Sequence, residues 1–340
     1  MIRYIVLLCR GYVEDGKREG ECSVTCLENG IRMLRASYYN DRPEGFVTLE
    51  REDGGWREGF CLDGRWDGLV REFDEDRRIR FIGKYEAGLP VGKCWIRMTG
   101  GGYLHGEVDA DWRLTSENGF YIYPDMEVAY NGVFSNSVMV KGRAALIEPS
   151  EVVNNVMTVK VTKLWGPERE YREATEDCLS TFPLLRDPYE ERLTEIGTSG
   201  IPGGGDGLFA KVNIPPGTLI AIYNGVKRGP YANVSTPDDW DKCGYSIGYY
   251  ESTTSDKGWG DMDIPVKFQT SDTYVATVAH KMNHSFNYNC EFSDLTHPIY
   301  GYIPCTITTK QIPAGEELFV HYHYVLNDCP QWYEDLYNQL

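Results

Sequence analysis

Glycine recurs at a nearly fixed interval through the first half of this chain, at positions 20, 45, 68, 92, 119 and 142, spaced 25, 23, 24, 27 and 23 residues apart. Around these positions runs a repeated unit: a glycine, an aromatic or branched residue, a polar turn, then a second glycine and an apolar stretch. Gly59-Phe60-Cys61-Leu62-Asp63-Gly64-Arg65-Trp66-Asp67-Gly68 is one copy, and Gly83-Lys84-Tyr85-Glu86-Ala87-Gly88 the next. Looser copies stand at Gly106-Glu107-Val108 and Gly132-Val133-Phe134. Asp15-Gly16, Asn29-Gly30, Asp53-Gly54, Asp63-Gly64 and Asn131-Gly132 read as hairpin turns, because such pairs tolerate positive φ. One hairpin cannot bury its own apolar face, so these units must stack into a long antiparallel sheet. Thirty-six glycines and 24 tyrosines suit many short strands joined by tight turns.

The units resemble MORN repeats, over roughly residues 11–145. MORN arrays occur in unrelated proteins as scaffolds or membrane tethers, so the resemblance implies a structural or substrate-orienting role, or a partner or lipid site. Ile5-Val6-Leu7-Leu8-Cys9 is too short for a membrane span or a signal sequence and is expected to be an edge strand. Residues 146–195 look transitional: Glu168-Arg169-Glu170-Tyr171-Arg172-Glu173 has no apolar face, and prolines 167, 183 and 188 break any long element.

Three further stretches carry chemistry. His280-Lys281-Met282-Asn283-His284-Ser285-Phe286-Asn287-Tyr288-Asn289-Cys290 holds two of the six histidines and three asparagines. So many polar groups beside apolar strands need a ligand or a backbone network to satisfy them. The second stretch, Glu316-Glu317-Leu318-Phe319-Val320-His321-Tyr322-His323-Tyr324, is an acidic pair, a short apolar strand and alternating aromatics. The third is Gly203-Gly204-Gly205-Asp206-Gly207-Leu208-Phe209-Ala210. It is not a phosphate loop, since no Gly-Lys-Ser/Thr ending or long helix follows.

Together, in this order, the three stretches resemble the signature blocks of SET-domain protein lysine methyltransferases, and the chain is similar throughout to the histone methyltransferases that carry N-terminal MORN repeats. Pro183-Leu184-Leu185-Arg186-Asp187-Pro188-Tyr189-Glu190 looks like the lead-in to the catalytic domain of that family. The resemblance implies a mainly β chain. A MORN sheet is expected over 1–150, a connecting segment over 151–195, a SET domain over 196–326 and a closing C-terminal helix over 327–340.

The implied activity is methyl transfer from S-adenosyl-L-methionine to protein lysine, with histone H3 the family's best-known substrate. Tyr322 would point at the reaction centre, with Tyr223, Phe292 and Tyr324 lining the lysine channel. Gly204, Gly205 and Asp206 would receive the methionine part of the cofactor, where only chain without Cβ atoms lets a ligand so close. Asn283 and His284 would hold its adenine and amino-acid ends, flanked by His280 and by Lys281, which would meet the carboxylate. Trp332 would lie on the adenine. Pro330 starts a helix whose apolar face is read as Trp332, Tyr333, Leu336, Tyr337 and Leu340. Relatives carry an acid where this chain has Leu336, so one cofactor contact is lost or supplied by Glu334. Relatives also carry Tyr, and add one methyl, where this chain has Phe292. That implies dimethyl as well as monomethyl product, unless Tyr223 or Tyr324 anchors the channel water instead.

A formal charge of −17 argues against direct nucleic-acid binding and suits a lysine-rich protein partner. The segment Glu251–Asp263, with four acids, is expected beside the peptide groove. Ten scattered cysteines with no C-x-x-C pair imply no metal site and a reducing, intracellular setting, nucleus and cytoplasm. A monomer without membrane contact is expected. The rival reading is a non-catalytic MORN and SET scaffold that binds lysine-rich peptides, and the unusual His321 and His323 favour it.

Overall fold

The computed structural model describes residues 7–26, 32–51, 53–109, 111–153, 156–230, 244–250, 259–326 and 329–340. The chain divides into two compact units, Met1–Arg169 and Glu170–Leu340.

The first unit opens with β1 (Leu7–Glu14), β2 (Lys17–Cys26), β3 (Arg32–Tyr39) and β4 (Arg42–Glu50). Then come β5 (Trp56–Leu62), β6 (Arg65–Phe73), β7 (Ile79–Glu86) and β8 (Leu89–Arg97). Five more follow: β9 (Tyr103–Glu107), β10 (Ser116–Ile122), β11 (Val128–Ser135), β12 (Val138–Val153) and β13 (Val156–Glu170). All thirteen lie in chain order in one sheet, with β1 at its edge. Alternation splits the side chains between two faces. Ile82, Trp95, Phe120, Ile122 and Ala145 pack on one, with Val159 and Val161 of β13 against them. Val70, Phe81, Tyr85 and Cys94 pack on the other.

The glycine period has a backbone cause. Gly20, Gly45, Gly68 and Gly92 stand in even-numbered strands just past a turn, with φ of 66°, 81°, 100° and 68°. At three of them, Gly20, Gly45 and Gly92, a Cβ would meet nothing within 4 Å, so conformation rather than space calls for glycine there. Asp15-Gly16 and Asp63-Gly64 form the expected turns, at φ of 48° and 78° and of 53° and 78°. Asn131-Gly132 does not. It lies inside β11, where a Cβ on Gly132 would stand 2.0 Å from the Lys141 carbonyl oxygen, and close backbone approach is what needs the glycine. The turn there falls at Asn136-Ser137, both at positive φ. Asn29-Gly30 lies outside the described residues.

The expected sheet limit at 150 and connecting segment over 151–195 differ from what is observed, since β12 and β13 carry the sheet to Glu170. Val159-Lys160-Val161-Thr162-Lys163 alternates with period two, a strand pattern that contains no glycine and so escapes a reading keyed to the glycine period.

The second unit contains α1 (Pro188–Leu193), β14 (Thr194–Thr198), β15 (Asp206–Ala210), β16 (Leu219–Ile222) and β17 (Val226–Pro230). It continues with β18 (Ser246–Tyr250), β19 (Trp259–Asp263), β20 (Asn283–His284), β21 (Cys290–His297), β22 (Gly301–Thr308), β23 (Glu317–Val320) and α2 (Gln331–Tyr337). The strands form three small sheets, ordered β14-β15-β23-β20, β16-β22-β21 and β17-β19-β18. Asp187 caps α1, accepting the main-chain N–H of Tyr189 and Glu190, and Pro188 opens the helix. Pro330 is the N-cap of α2 rather than its first residue. Of the apolar positions read for this helix, only Tyr333 is buried; Trp332, Leu336 and Tyr337 are exposed, Tyr337 with its ring against Phe286, and Leu340 lies past the end of α2.

Candidate active site

β23 is the strand around which the site assembles. On one side β15 runs antiparallel to it, pairing Leu208 with Leu318. On the other β20 runs parallel, pairing Asn283 with Phe319 and His284 with Val320. The three stretches singled out in the sequence are therefore neighbouring strands. Asn289 locks the arrangement by making strand-like bonds with its amide. Its Nδ2 donates to the Glu317 carbonyl at 2.9 Å, and its Oδ1 accepts the Phe319 N–H at 2.8 Å.

The glycine turn is pinned by Glu317. Its Oε1 accepts the Ser199 hydroxyl at 2.6 Å and the Asn283 Nδ2 at 3.3 Å, and its Oε2 accepts the Gly200 N–H at 2.8 Å. Gly207 passes so near that a Cβ there would stand 2.4 Å from Glu317 Oε1. Gly203 and Gly205 have φ of 77° and 66°, with nothing within 4 Å of either Cβ position, whereas Gly204 fits closely against Ser199 and Ile201.

Asp206 follows the turn. Hydrogen bonds from Ser271 and Lys281 hold its carboxyl below the usual carboxylate range. The Lys281 side chain is 2% exposed, and its Nζ donates to Asp206 Oδ2 and to the Gln269 carbonyl, each at 2.9 Å. A buried ammonium needs such partners to offset its lost hydration. The amine expected to meet a carboxylate thus has two partners within the protein. Asn283 Nδ2 also reaches the Asp206 carbonyl at 3.0 Å.

Four tyrosines gather nearby, their hydroxyls close enough to raise one another's pKa. Tyr223 stands just past β16 and donates its hydroxyl to the Tyr245 carbonyl at 2.6 Å. Tyr322, just past β23, donates to the Met282 carbonyl at 2.9 Å. Burial lifts both phenols above their ordinary range, so both stay neutral. Tyr324 meets Tyr322 and Trp332 at ring centroid distances of 5.6 and 6.2 Å. Phe292 is half-buried in β21, opposite Thr306, whose hydroxyl lies 3.4 Å from both the Ala221 carbonyl and the Met282 sulfur.

The histidines are neutral by burial. His280 is held down to about 3 by desolvation first and by Lys281 second, among the rings of Tyr223, Tyr245 and Tyr274. Neither of its ring nitrogens finds a hydrogen-bond partner among the described residues. His284 is lowered to about 4 by burial, then by His321. Its Nδ1 accepts the Tyr322 N–H, and its buried Nε2 has no hydrogen-bond partner among the described residues. His321 Nδ1 accepts the His323 N–H at 3.0 Å, in a turn where His323 has φ of 56°. Trp332, 44% exposed, lies 6.0 Å from His284 and 6.2 Å from Tyr322 between ring centroids.

Tyr245, the Met282 carbonyl and the clamp made by Glu317 were not assigned roles from the sequence. Tyr245 sits in an ordinary Gly-Tyr-Ser stretch that signals only a strand start. Of the acidic segment expected along a groove, Glu251 and Asp256 lie outside the described residues. Asp261 and Asp263 are buried and half-buried strand residues rather than exposed charges.

The glycine turn, the Asn-His strand and the tyrosine strand, joined in one small sheet beside buried phenols, define a SET domain, the fold of protein lysine methyltransferases. A SET-domain profile matches residues 205–323. A second, described as "Histone H3 K4-specific methyltransferase SET7 N-terminal", matches residues 85–155 of the repeat sheet. Histone-lysine N-methyltransferase SETD7 of Halocynthia roretzi is 34% identical over 275 residues, 77% of this chain and 68% of that one. The chain belongs to this SETD7 family, and it is an enzyme, a protein-lysine N-methyltransferase. A crystal structure of a Plasmodium falciparum protein covers 39% of this chain and 96% of that one at 15% identity. Its TM-score of 0.27 is too low to bear on the fold.

Proposed function

We propose that the second unit transfers methyl groups from S-adenosylmethionine to the Nζ of lysines in a basic protein segment of the histone-tail type, making mono- and dimethyllysine. The observation that carries this reading is the pair of tyrosine hydroxyls, each donated to a main-chain carbonyl. With their hydrogens committed, Tyr223 and Tyr322 offer only oxygen lone pairs toward the space between them. An amine N–H donating to those oxygens has its own lone pair directed away from them, toward an electrophile.

The residues present fit the cofactor. An open turn at Gly203 and Gly205, a buried His284 Nε2 without a hydrogen-bond partner among the described residues and a half-exposed Trp332 ring adjoin one small sheet. Gly204, Gly205, Asp206, Asn283, His284 and Trp332 would hold it. When bound, it supplies the sulfonium methyl as the electrophile.

The rest of the work belongs to the chain. A free lysine titrates near ~10.4, so the amine must lose its proton before it can attack. Buried aromatic walls lower that value by desolvation, and a neighbouring positive charge adds to the effect. Among the described residues the phenols of the site stay protonated, and an imidazole at about 3 accepts protons poorly, so none of these serves as a strong base. The proton therefore leaves to solvent, and catalysis rests on alignment. Phe292 supports dimethylation, because a phenyl ring cannot hold the channel water that a hydroxyl would, and a displaceable water leaves room for a methyl. The charge of −17 favours encounter with basic segments.

Calorimetry with S-adenosylmethionine, followed by mass spectrometry of a histone H3 tail peptide, tests the proposal. Micromolar binding and methyl groups on lysine are expected. A folded chain that binds no cofactor would return the case to a peptide-binding scaffold.

A further inference from the structure

The carboxyl of Glu190 is fully buried, and nothing in the chemistry above uses it. It stands on α1, on the lead-in stretch that the sequence resemblance left without a role. Its Oε1 accepts two main-chain N–H groups from distant parts of the chain, Ile222 at 2.5 Å and Val278 at 3.2 Å. Its Oε2 is shut from solvent and has no hydrogen-bond partner among the described residues.

The two amides frame the transfer centre. Ile222 ends β16 and immediately precedes Tyr223. Val278 precedes the 3₁₀ turn Ala279–Lys281, and the Met282 carbonyl that accepts the Tyr322 hydroxyl follows that turn. One step further out the same segments are joined again, where the Asn224 N–H meets Thr277 Oγ1 at 3.3 Å. A fully buried carboxyl with an unmet oxygen is expensive to keep. Stability alone would favour an arrangement in which the two amides found an uncharged acceptor and an apolar side chain filled the space.

We infer that Glu190 is a positioning residue of the transferase: through one oxygen it sets the separation of the Tyr223 strand from the turn that carries Met282, and hence of the two tyrosine hydroxyls. This rests on the reading of Tyr223 and Tyr322 as the transfer centre.

The groups that face Glu190 are Asp187, Arg186, Tyr274 and Tyr300. Burial first, and Asp187 second, push its carboxyl well above the ordinary range, against the pull of the two amides and Arg186. The acid form places its proton on Oε2 and leaves Oε1 free to accept, which is the pattern a glutamine can copy.

The test compares the full-length wild-type chain with Glu190→Gln and Glu190→Leu, each normalised to the fraction that binds S-adenosylmethionine. Glu190→Gln should transfer methyl within about threefold of wild type, because its carbonyl keeps both amide bonds, whereas Glu190→Leu should lose about tenfold or more in kcat with peptide KM little changed, as displaced reacting groups do. A role in stability alone would lower the melting temperature of Glu190→Leu and leave kcat of the binding fraction untouched, and that result would overturn the inference. So would a folded Glu190→Gln as slow as the leucine variant. Should Glu190→Leu fail to fold, hydrogen exchange on the wild type decides. Ile222 and Val278 amides protected as strongly as the central strands support the clamp, and fast exchange at either refutes it. A wild-type chain that binds cofactor but transfers nothing would remove the tyrosine reading first, and this inference with it.

Discussion

His284 Nδ1 accepts the main-chain N–H of Tyr322 at 3.2 Å. That bond joins the Asn-His strand to the tyrosine strand at the point where both leave their sheet, and it fixes the imidazole as the neutral Nε2–H form. Tyr322 in turn reaches back to Met282, two residues before His284, through its hydroxyl. Backbone and side chain of Tyr322 are thus both tied to the same short segment.

Removing the Tyr322 ring should therefore affect chemistry more than binding. Tyr322→Ala is expected to lower methyl transfer by about 100-fold or more, since alignment is lost, while cofactor affinity changes by less than about threefold. Calorimetry alongside initial rates reads both. Equal losses in the two would show that Tyr322 belongs to the cofactor pocket rather than to the centre.

Gly207→Ala should do the opposite. The new Cβ would displace the Glu317 carboxylate, which is held by Ser199, Gly200 and Asn283 and has nowhere to turn without breaking those bonds. Losing one or two charge-assisted bonds that shape the glycine turn is expected to weaken cofactor binding by about tenfold or more. An unchanged dissociation constant would mean the turn is shaped without Glu317.

Phe292→Tyr is expected to confine the enzyme to one methyl. The added hydroxyl can hold a water or the amine and remove the room for a methylated amine to rotate into line. Mass spectrometry after long incubation with excess cofactor checks this. Monomethyl product alone from the wild type would show that Tyr223 or Tyr324 already anchors the channel.

Acid should unfold the second unit through its buried imidazoles. His284 at about 4, and His280 and His297 at about 3, sit below the ordinary value near 6.5. Because their folded values are depressed, the unfolded chain takes up protons first. The stabilisation is whole above about 6.5 and drains away as pH falls toward 4 and then 3. Melting temperatures measured from pH 7 down to 4 should fall steadily. His284→Asn should flatten the upper part of that slope, and an unaltered slope would exclude His284 as a contributor.

Much of the architecture is legible in the sequence. Asp15-Gly16 and Asp63-Gly64 announced their turns, because φ preference is a property of the residue itself. Asn131-Gly132 misled for the same reason in reverse: a pair suited to a turn was used where two backbones pass closely. Gly142 marks only the first part of β12, and β13 went unread because its alternating Val159-Lys160-Val161 stretch carries no glycine. Lys281 was placed at the site, yet its charge is spent on Asp206 and Gln269, a pairing across 75 residues that spacing cannot show.

The sequence by itself determined the mainly β fold, the order of the three signature blocks and the residue types that can perform methyl transfer. Local rules suffice for these, because turn geometry, strand alternation and side-chain chemistry act over a few residues at a time. Only the tertiary structure decided which hydroxyl faces which carbonyl, that Glu317 shapes the glycine turn and that a buried Glu190 joins Ile222 to Val278. Each of those is a contact between segments far apart in the chain. Its energy depends on burial and on distances of a few tenths of an ångström, quantities that exist only once the strands have packed.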